Sequence, residues 1–163
     1  MPPKAGPRPN PGENPKTAAT DDRPLADYLC FAIYSANLAY GRAYKQGLDQ
    51  LGLTYPQWIV IVCLAEHDDQ TVSALGDRIF LESNTLTPML KKLEAMGYLR
   101  RRRDPADERQ VRVSLTDAGR RLREKGRQMT LAKSSGLKPK DFTRLQKAVV
   151  ELRDNLIEAT KEG

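Results

Sequence analysis

Between residues 83 and 116 the apolar side chains change from a helical to an extended period, and few folds accommodate that change. In "ESNTLTPMLKKLEAMGYL", Leu86, Met89, Leu90, Leu93 and Met96 recur every three or four residues and form one helical stripe. Thr85, Thr87, Lys91 and Lys92 lie off that stripe. Pro88 has no N–H and belongs in a first turn, which places the helix start near Ser83 or Asn84. In "YLRRRRDPADERQVRVSLT" the period becomes two. Val111, Val113 and Leu115 face one way and Gln110, Arg112 and Ser114 the other, so strand, turn and strand follow the helix. Upstream, "TVSALGDRIF" predicts a helix separated from the first by a short turn.

The flanks are helical as well. Leu29, Ile33, Ala36, Tyr40, Tyr44, Leu48 and Leu51 recur at helical steps and end before Gly52. In "TYPQWIVIVCLAEHDD", Thr54 can cap a mostly buried second helix that carries Pro56 in its first turn and runs to about Glu66. Thr116 and Asp117 open another helix, "DAGRRLREKGRQM". A break at 133–140 precedes a last amphipathic helix with Phe142, Leu145, Val149, Leu152 and Leu156 on one side. Residues 1–23 are proline-rich and nearly empty of large apolar side chains, which predicts a disordered tail. The expected architecture is mainly α with a small β-hairpin wing. A winged helix-turn-helix over about 54–116 stands between dimerisation helices over about 25–51 and 117–160, all within a single domain over 24–163. A small three-helix core cannot cover the apolar stripes of both terminal helices, so a two-fold homodimer is expected.

Of the 27 basic residues, thirteen fall between Lys91 and Arg127, against six of the 21 acidic ones. A basic block inside a folded region points to a polyanion-binding face. A helix fits the major groove with its N-terminal side chains at base edges, which suits Ser83, Asn84, Thr85 and Thr87. Lys91 and Lys92 lie a turn further on and suit phosphates, as do Arg101, Arg102 and Arg103. The tip "DPADER" brings Arg109 forward, with Asp107 as its expected salt-bridge partner, and such an arginine suits a narrow minor groove.

Two cysteines, Cys30 and Cys63, give no disulfide framework. Cys63 sits in the apolar run "WIVIVCL" and reads as core. Cys30 has tyrosines for company. A phenol donates to a thiolate better than to a thiol, so nearby tyrosines lower a cysteine's pKa from about 8.5. Tyr34 is four residues from Cys30, on the same helix face. Tyr44 shares that face but sits about 21 Å along the axis. Where two first helices cross antiparallel, Tyr44 of one copy meets Cys30 of the other, and Tyr55 can join it. Tyr40 is expected to project elsewhere, as core.

"LTPMLKKLEAMGYLRRRRDPADERQVRVSLTDAGR" resembles the recognition helix and wing of the MarR family of dimeric bacterial repressors, with the Leu-Thr-Pro start, the Gly97 stop, the Asp-Glu-Arg wing and the "LTDAG" helix start in order. The resemblance covers about residues 25–160. It implies that Asp107 and Arg109 occupy the minor-groove positions of the wing. "LCFAIYSANLAYGRAYKQGLDQLGLTYPQW" with "LESNTLTPML" is similar to the OhrR branch, which senses organic hydroperoxides. That likeness implies Cys30 as the sensing thiol, hydrogen-bonded by Tyr44 and Tyr55 of the partner with Tyr34 close by, and DNA release on oxidation. A second, resolving cysteine found in some OhrR proteins has no counterpart after residue 63. The one-cysteine kind is therefore implied, in which a small cellular thiol caps the sulfenic acid or oxidation proceeds further. The implied operator is an inverted repeat.

Other readings give different expectations. A repressor of the same fold could answer to a small aromatic ligand. A thiol peroxidase would want a basic residue beside Cys30, and none is apparent. A protein-binding winged helix would show no steep salt dependence on DNA. His67 is the only histidine, so no metal site is expected, and nothing suggests a cofactor or an enzyme. No apolar run reaches the roughly 18 residues of a membrane span. Without a signal peptide, a cytoplasmic location is expected.

Overall fold

The computed structural model describes residues 22–129 and 135–161. The expected tail, up to residue 21, and residues 133–134 of the expected break lie outside them. The chain divides into two compact units, one ending at Ala36 and the other beginning at Asn37. The first holds a 3-10 turn at Leu25–Asp27 and the opening turns of helix α1 (Leu29–Leu51). There Ser35 Oγ donates to the Phe31 carbonyl at 2.8 Å, and the Phe31 and Tyr34 rings lie 6.5 Å apart. Leu29 and Ile33 are exposed, at 62% and 41%.

The second unit runs from the rest of α1 through α2 (Tyr55–Glu66), β1 (Gln70–Thr71), α3 (Val72–Ile79), α4 (Ser83–Ala95), β2 (Leu99–Arg103), β3 (Val111–Leu115), α5 (Asp117–Lys125) and α6 (Pro139–Lys161). The caps follow from local chemistry. Thr54 and Gln57 form a reciprocal capping box at the start of α2: the Gln57 amide oxygen accepts from the Thr54 backbone N–H at 2.9 Å, and Thr54 Oγ1 accepts from the Gln57 N–H. Thr71 caps α3 and Thr116 caps α5 by a single bond each, their side chains accepting from the Ala74 and Gly119 N–H groups. The α4 start at Ser83 agrees with the expectation, but Pro88 stands in the second turn rather than the first. The carbonyl of Asn84 therefore lacks its i+4 donor, which is tolerable because Asn84 is exposed.

The hairpin is in register from Leu99↔Leu115 to Arg103↔Val111. Sequence periodicity missed β1, whose two residues pair with Val113 and Arg112 and give a three-stranded antiparallel sheet in the order β1-β3-β2. Leu75, Leu86, Leu90, Leu93, Leu99 and Val113 are fully buried between α2, α3, α4 and the sheet. Cys63 is buried with them, as expected. Leu38 on α1 and Leu145, Val149 and Leu156 on α6 are exposed, and α6 buries none of its residues. Among the described residues no helix is long and apolar enough to cross a membrane.

Gly119 sits where α5 crosses the end of the hairpin, and a Cβ there would lie 2.1 Å from the Tyr98 carbonyl oxygen. Backbone cannot yield as a flexible side chain can. Gly119→Ala is expected to destabilise the fold by about 1–3 kcal/mol, read as a lower midpoint in urea.

Candidate nucleic-acid interface and sensing thiol

The N-terminus of α4 presents Ser83, Asn84 and Thr85 exposed and Thr87 half-buried. These side chains are already organised among themselves. Asn84 Nδ2 donates to Glu82 at 3.2 Å, and Thr85 Oγ1 donates to Asn84 Oδ1 at 3.2 Å. Lys91 and Lys92 are exposed on the next turn and form no ion pair among the described residues. A groove of about 280 Å³ separates this helix from the wing, lined among others by Ser73, Ser83, Thr87, Arg101 and Arg109.

The wing is held from two sides. From α4, the Glu94 carboxylate accepts from the Arg101 backbone N–H at 2.9 Å and from its guanidinium at 2.9 and 2.6 Å. From the turn before β1, Asp69 stands in the left-handed region at φ 53° and accepts from Arg102 at 2.8 Å and from Arg112 at 3.2 Å. Arg112 also reaches Asp104 at 3.0 Å and the Asp69 carbonyl. The hydrogen bonds from Arg101 hold Glu94 below the usual carboxylate range. Asp69 is lowered chiefly by the bond from Arg112, and Asp104 chiefly by the Ala106 N–H. Arg101 and Arg102, expected at phosphates, thus have carboxylate partners within the chain, and Arg103 donates to the Glu108 carbonyl at 3.0 Å.

The expected ion pair between Asp107 and Arg109 is not formed. Asp107 Oδ1 instead accepts from the Arg109 backbone N–H at 3.1 Å and Oδ2 from Gln110 at 3.1 Å, because an aspartate in a tight turn bonds the backbone two residues on. The Arg109 side chain is exposed at the tip, with no ion pair among the described residues. Sequence reasoning singled out neither Glu94, Asp69 nor Arg112.

In the first unit Cys30 is a free, exposed thiol, and Tyr34 is exposed one turn later. In the second unit the Tyr44 and Tyr55 rings lie 5.0 Å apart. The capping box fixes Tyr55, the first residue of α2, against the end of α1. Burial, then Tyr55, then Tyr40 push the Tyr44 phenol above its ordinary pKa; burial and Tyr40 do the same for Tyr55. Both are therefore hydrogen-bond donors at neutral pH. Tyr40, expected in the core, is 41% exposed. Leu48 is the one buried residue of α1, with Tyr44 and Leu51 partly buried against the core, and Tyr40 lies two turns before Leu48. His67 is exposed, and no acidic, histidine or cysteine cluster able to hold a metal occurs among the described residues.

A profile of the family described as transcriptional regulator SarA/Rot matches residues 42–125. The organic hydroperoxide resistance transcriptional regulator of Bacillus subtilis is 39% identical over 141 residues, which cover 83% of this chain and 94% of that protein. The regulator TtmR of Methylorubrum extorquens is 50% identical over 110 residues, 68% of this chain but only 56% of TtmR. Among solved structures, AbfR, a protein of Staphylococcus epidermidis, aligns in its reduced, DNA-bound form with a TM-score of 0.71 and 36% identity, covering 82% of this chain and 93% of that one. Its overoxidised form, also bound to DNA, aligns with a TM-score of 0.68.

A carboxylate whose pKa is depressed by folding stabilises the fold above its unfolded pKa, and that contribution disappears as pH falls through the folded value. The contribution of the Glu94–Arg101 clamp is therefore whole above the ordinary carboxylate range and is lost as pH falls through the depressed value of Glu94. Glu94→Gln is expected to melt lower than the parent at neutral pH, with the two melting temperatures converging as acid protonates Glu94.

Proposed function

We propose, from the premise that the chain belongs to the SarA/Rot family of winged-helix transcriptional regulators and is of the MarR type, that it is a homodimeric repressor inactivated by organic hydroperoxides through Cys30. Ser83, Asn84, Thr85 and Thr87 meet base edges in the major groove, Lys91 and Lys92 meet phosphates, and Arg109 enters the flanking minor groove. Asp107 acts by shaping the turn that carries Arg109. Arg101 and Arg102 serve chiefly to hold the wing; Arg103, bonded to a tip carbonyl, remains exposed enough to reach a phosphate. Two such heads on a two-fold dimer suit half-sites about 34–36 Å apart on an inverted repeat.

The observation that carries the sensing role is the paired phenols of Tyr44 and Tyr55, protonated and 5.0 Å apart, on the same chain as an exposed thiol they are spaced to serve only across a dimer. Donation by Tyr44 and Tyr55 of one copy holds Cys30 of the other as thiolate, with Tyr34 beside it. The thiolate attacks the terminal oxygen of a hydroperoxide. An S–O bond forms and the O–O bond breaks; sulfur is oxidised to sulfenic acid, and the peroxide leaves as an alkoxide that takes up a proton to become an alcohol. A low-molecular-weight thiol then displaces water from the sulfenic acid and leaves a mixed disulfide. Its bulk separates the phenols from the thiol and moves the two heads off successive grooves. About 2–3 kcal/mol of differential stability corresponds to about 30- to 150-fold weaker operator binding. The protein acts by binding and release in the cytoplasm, without catalytic turnover or a cofactor.

With a physiological thiol present, one equivalent of cumene hydroperoxide is expected to release the parent protein from its operator, reversibly on adding reductant. Cys30→Ser is expected to stay bound. Release of both variants in a mobility-shift titration would place the trigger elsewhere. On the DNA side, Lys92→Ala is expected to weaken binding to all sequences alike and to lower the slope of log affinity against log salt by about 1, measured by fluorescence anisotropy.

A further inference from the structure

Tyr40 belongs to neither the core nor the phenol pair as the preceding reading uses it. It lies four residues before Tyr44, about 40° away around the helix and about 6 Å along it. It is 41% exposed, as Tyr55 is at 37%, and its phenol is close enough to raise the pKa of both Tyr44 and Tyr55. Three phenols therefore share one surface of the second unit.

A thiolate on that surface is served by two donors, Tyr44 and Tyr55. The reaction needs one more. When sulfur takes the terminal oxygen of a hydroperoxide, the other oxygen departs as an alkoxide, a far stronger base than a phenolate. The thiolate has no proton to give it, and the two phenols bonded to sulfur point at the wrong atom. We propose that Tyr40 donates a hydrogen bond to this second oxygen of the hydroperoxide bound beside Cys30 of the facing copy, and passes its proton to it as the O–O bond breaks. The balance is closed: the S–O bond forms, the O–O bond breaks, the alcohol leaves with the Tyr40 proton, and the phenolate is reprotonated from water. This assignment rests on the dimer reading above and extends it to the leaving group.

Two probes of Cys30 separate that role from all others in the intact dimer. Cumene hydroperoxide expels an alkoxide, which needs a proton. Iodoacetamide expels iodide, which does not. Tyr40→Phe is expected to slow the peroxide reaction by about 100-fold or more, as loss of a general acid does, while alkylation stays within about two-fold of the parent. Equal peroxide rates would overturn the assignment. So would parallel slowing with both reagents, which means that Tyr40 acts on the thiolate or on the fold. Tyr44→Phe and Tyr55→Phe test the underlying reading by themselves. Both are expected to slow both reagents at neutral pH by lowering the thiolate fraction, and the pH at which alkylation is half-maximal is expected to rise. If neither variant changes either rate, the phenol–thiolate site fails whatever Tyr40 does.

Discussion

The apolar sides of α1 and α6 are the constraint on which the rest depends. Leu29, Ile33 and Leu38 on one helix, and Leu145, Val149 and Leu156 on the other, are exposed in the single chain. Each such side chain, if buried, contributes about 1.5–3 kcal/mol, so leaving six of them in water forgoes a sum comparable to the whole stability of a small domain. A second copy removes that penalty, and in the proposed function it also brings the sensing groups together. The thiol lies near the start of α1 and the phenol Tyr44 fourteen residues on, too far to meet within one helix. An antiparallel crossing brings the start of one helix to the later turns of the other, and two-fold symmetry then yields two identical sites. In the proposed function dimerisation and sensing use the same helix because the length of that helix separates the two halves of the site.

The reading head is built differently. Its core is closed within one chain by leucines of α3, α4 and β2, and its wing is fastened twice, to α4 through Glu94 and Arg101 and to the β1 turn through Asp69, Arg112 and Asp104. The turn itself bonds its own backbone through Asp107. A head so braced keeps its internal shape while its position relative to the other head changes. In the proposed function weakened binding on oxidation follows from spacing: a shift of a few ångströms between the two copies spoils the match to two grooves although each head still fits one. Arg153 of α6, stacked 4.7 Å over the Phe80 ring at the turn between α3 and α4, gives the dimer region a direct hold on the head.

Where a structure depended on residues close in sequence, the sequence displayed it. The Thr54–Gln57 cap, the α4 start and the alternation of Val111, Val113 and Leu115 are decided within a few residues of themselves. What escaped is long-range or too short to have a period. Asp69 and Arg112 are 43 positions apart, and no local pattern marks them as partners. β1 has two residues, and a strand of two cannot alternate. Tyr40 was misplaced for a different reason: an apolar-looking stripe on α1 suggests a core beneath it, whereas the core of one chain takes in Leu48 and reaches back along α1 only to Tyr44. The stripe was correctly assigned to a second copy, and Tyr40 alone was wrongly given to the core. Asp107 was assigned to a guanidinium because charge is easily read from sequence, and lost to a backbone N–H because turn geometry is not.

Only one cysteine in the sensing region makes the fate of the sulfenic acid a question of size against charge. A disulfide within the dimer would need a second thiol, and Cys63 is buried in the core beside the Gln70 amide. Further oxidation adds two oxygens and a negative charge at a site lined by phenols, which donate to an anionic oxygen as readily as to a thiolate. In the proposed site such a product keeps acceptors for the phenols that serve the reduced thiolate; the related AbfR has been solved on DNA in its overoxidised state. A mixed disulfide is different in kind. It replaces the acceptor of two phenol hydrogen bonds with a neutral, bulky chain, and a close-packed interface has no room for it without moving its walls. By this reasoning the capping thiol, and not the peroxide, supplies the force that parts the heads; the peroxide decides only when that thiol is allowed in.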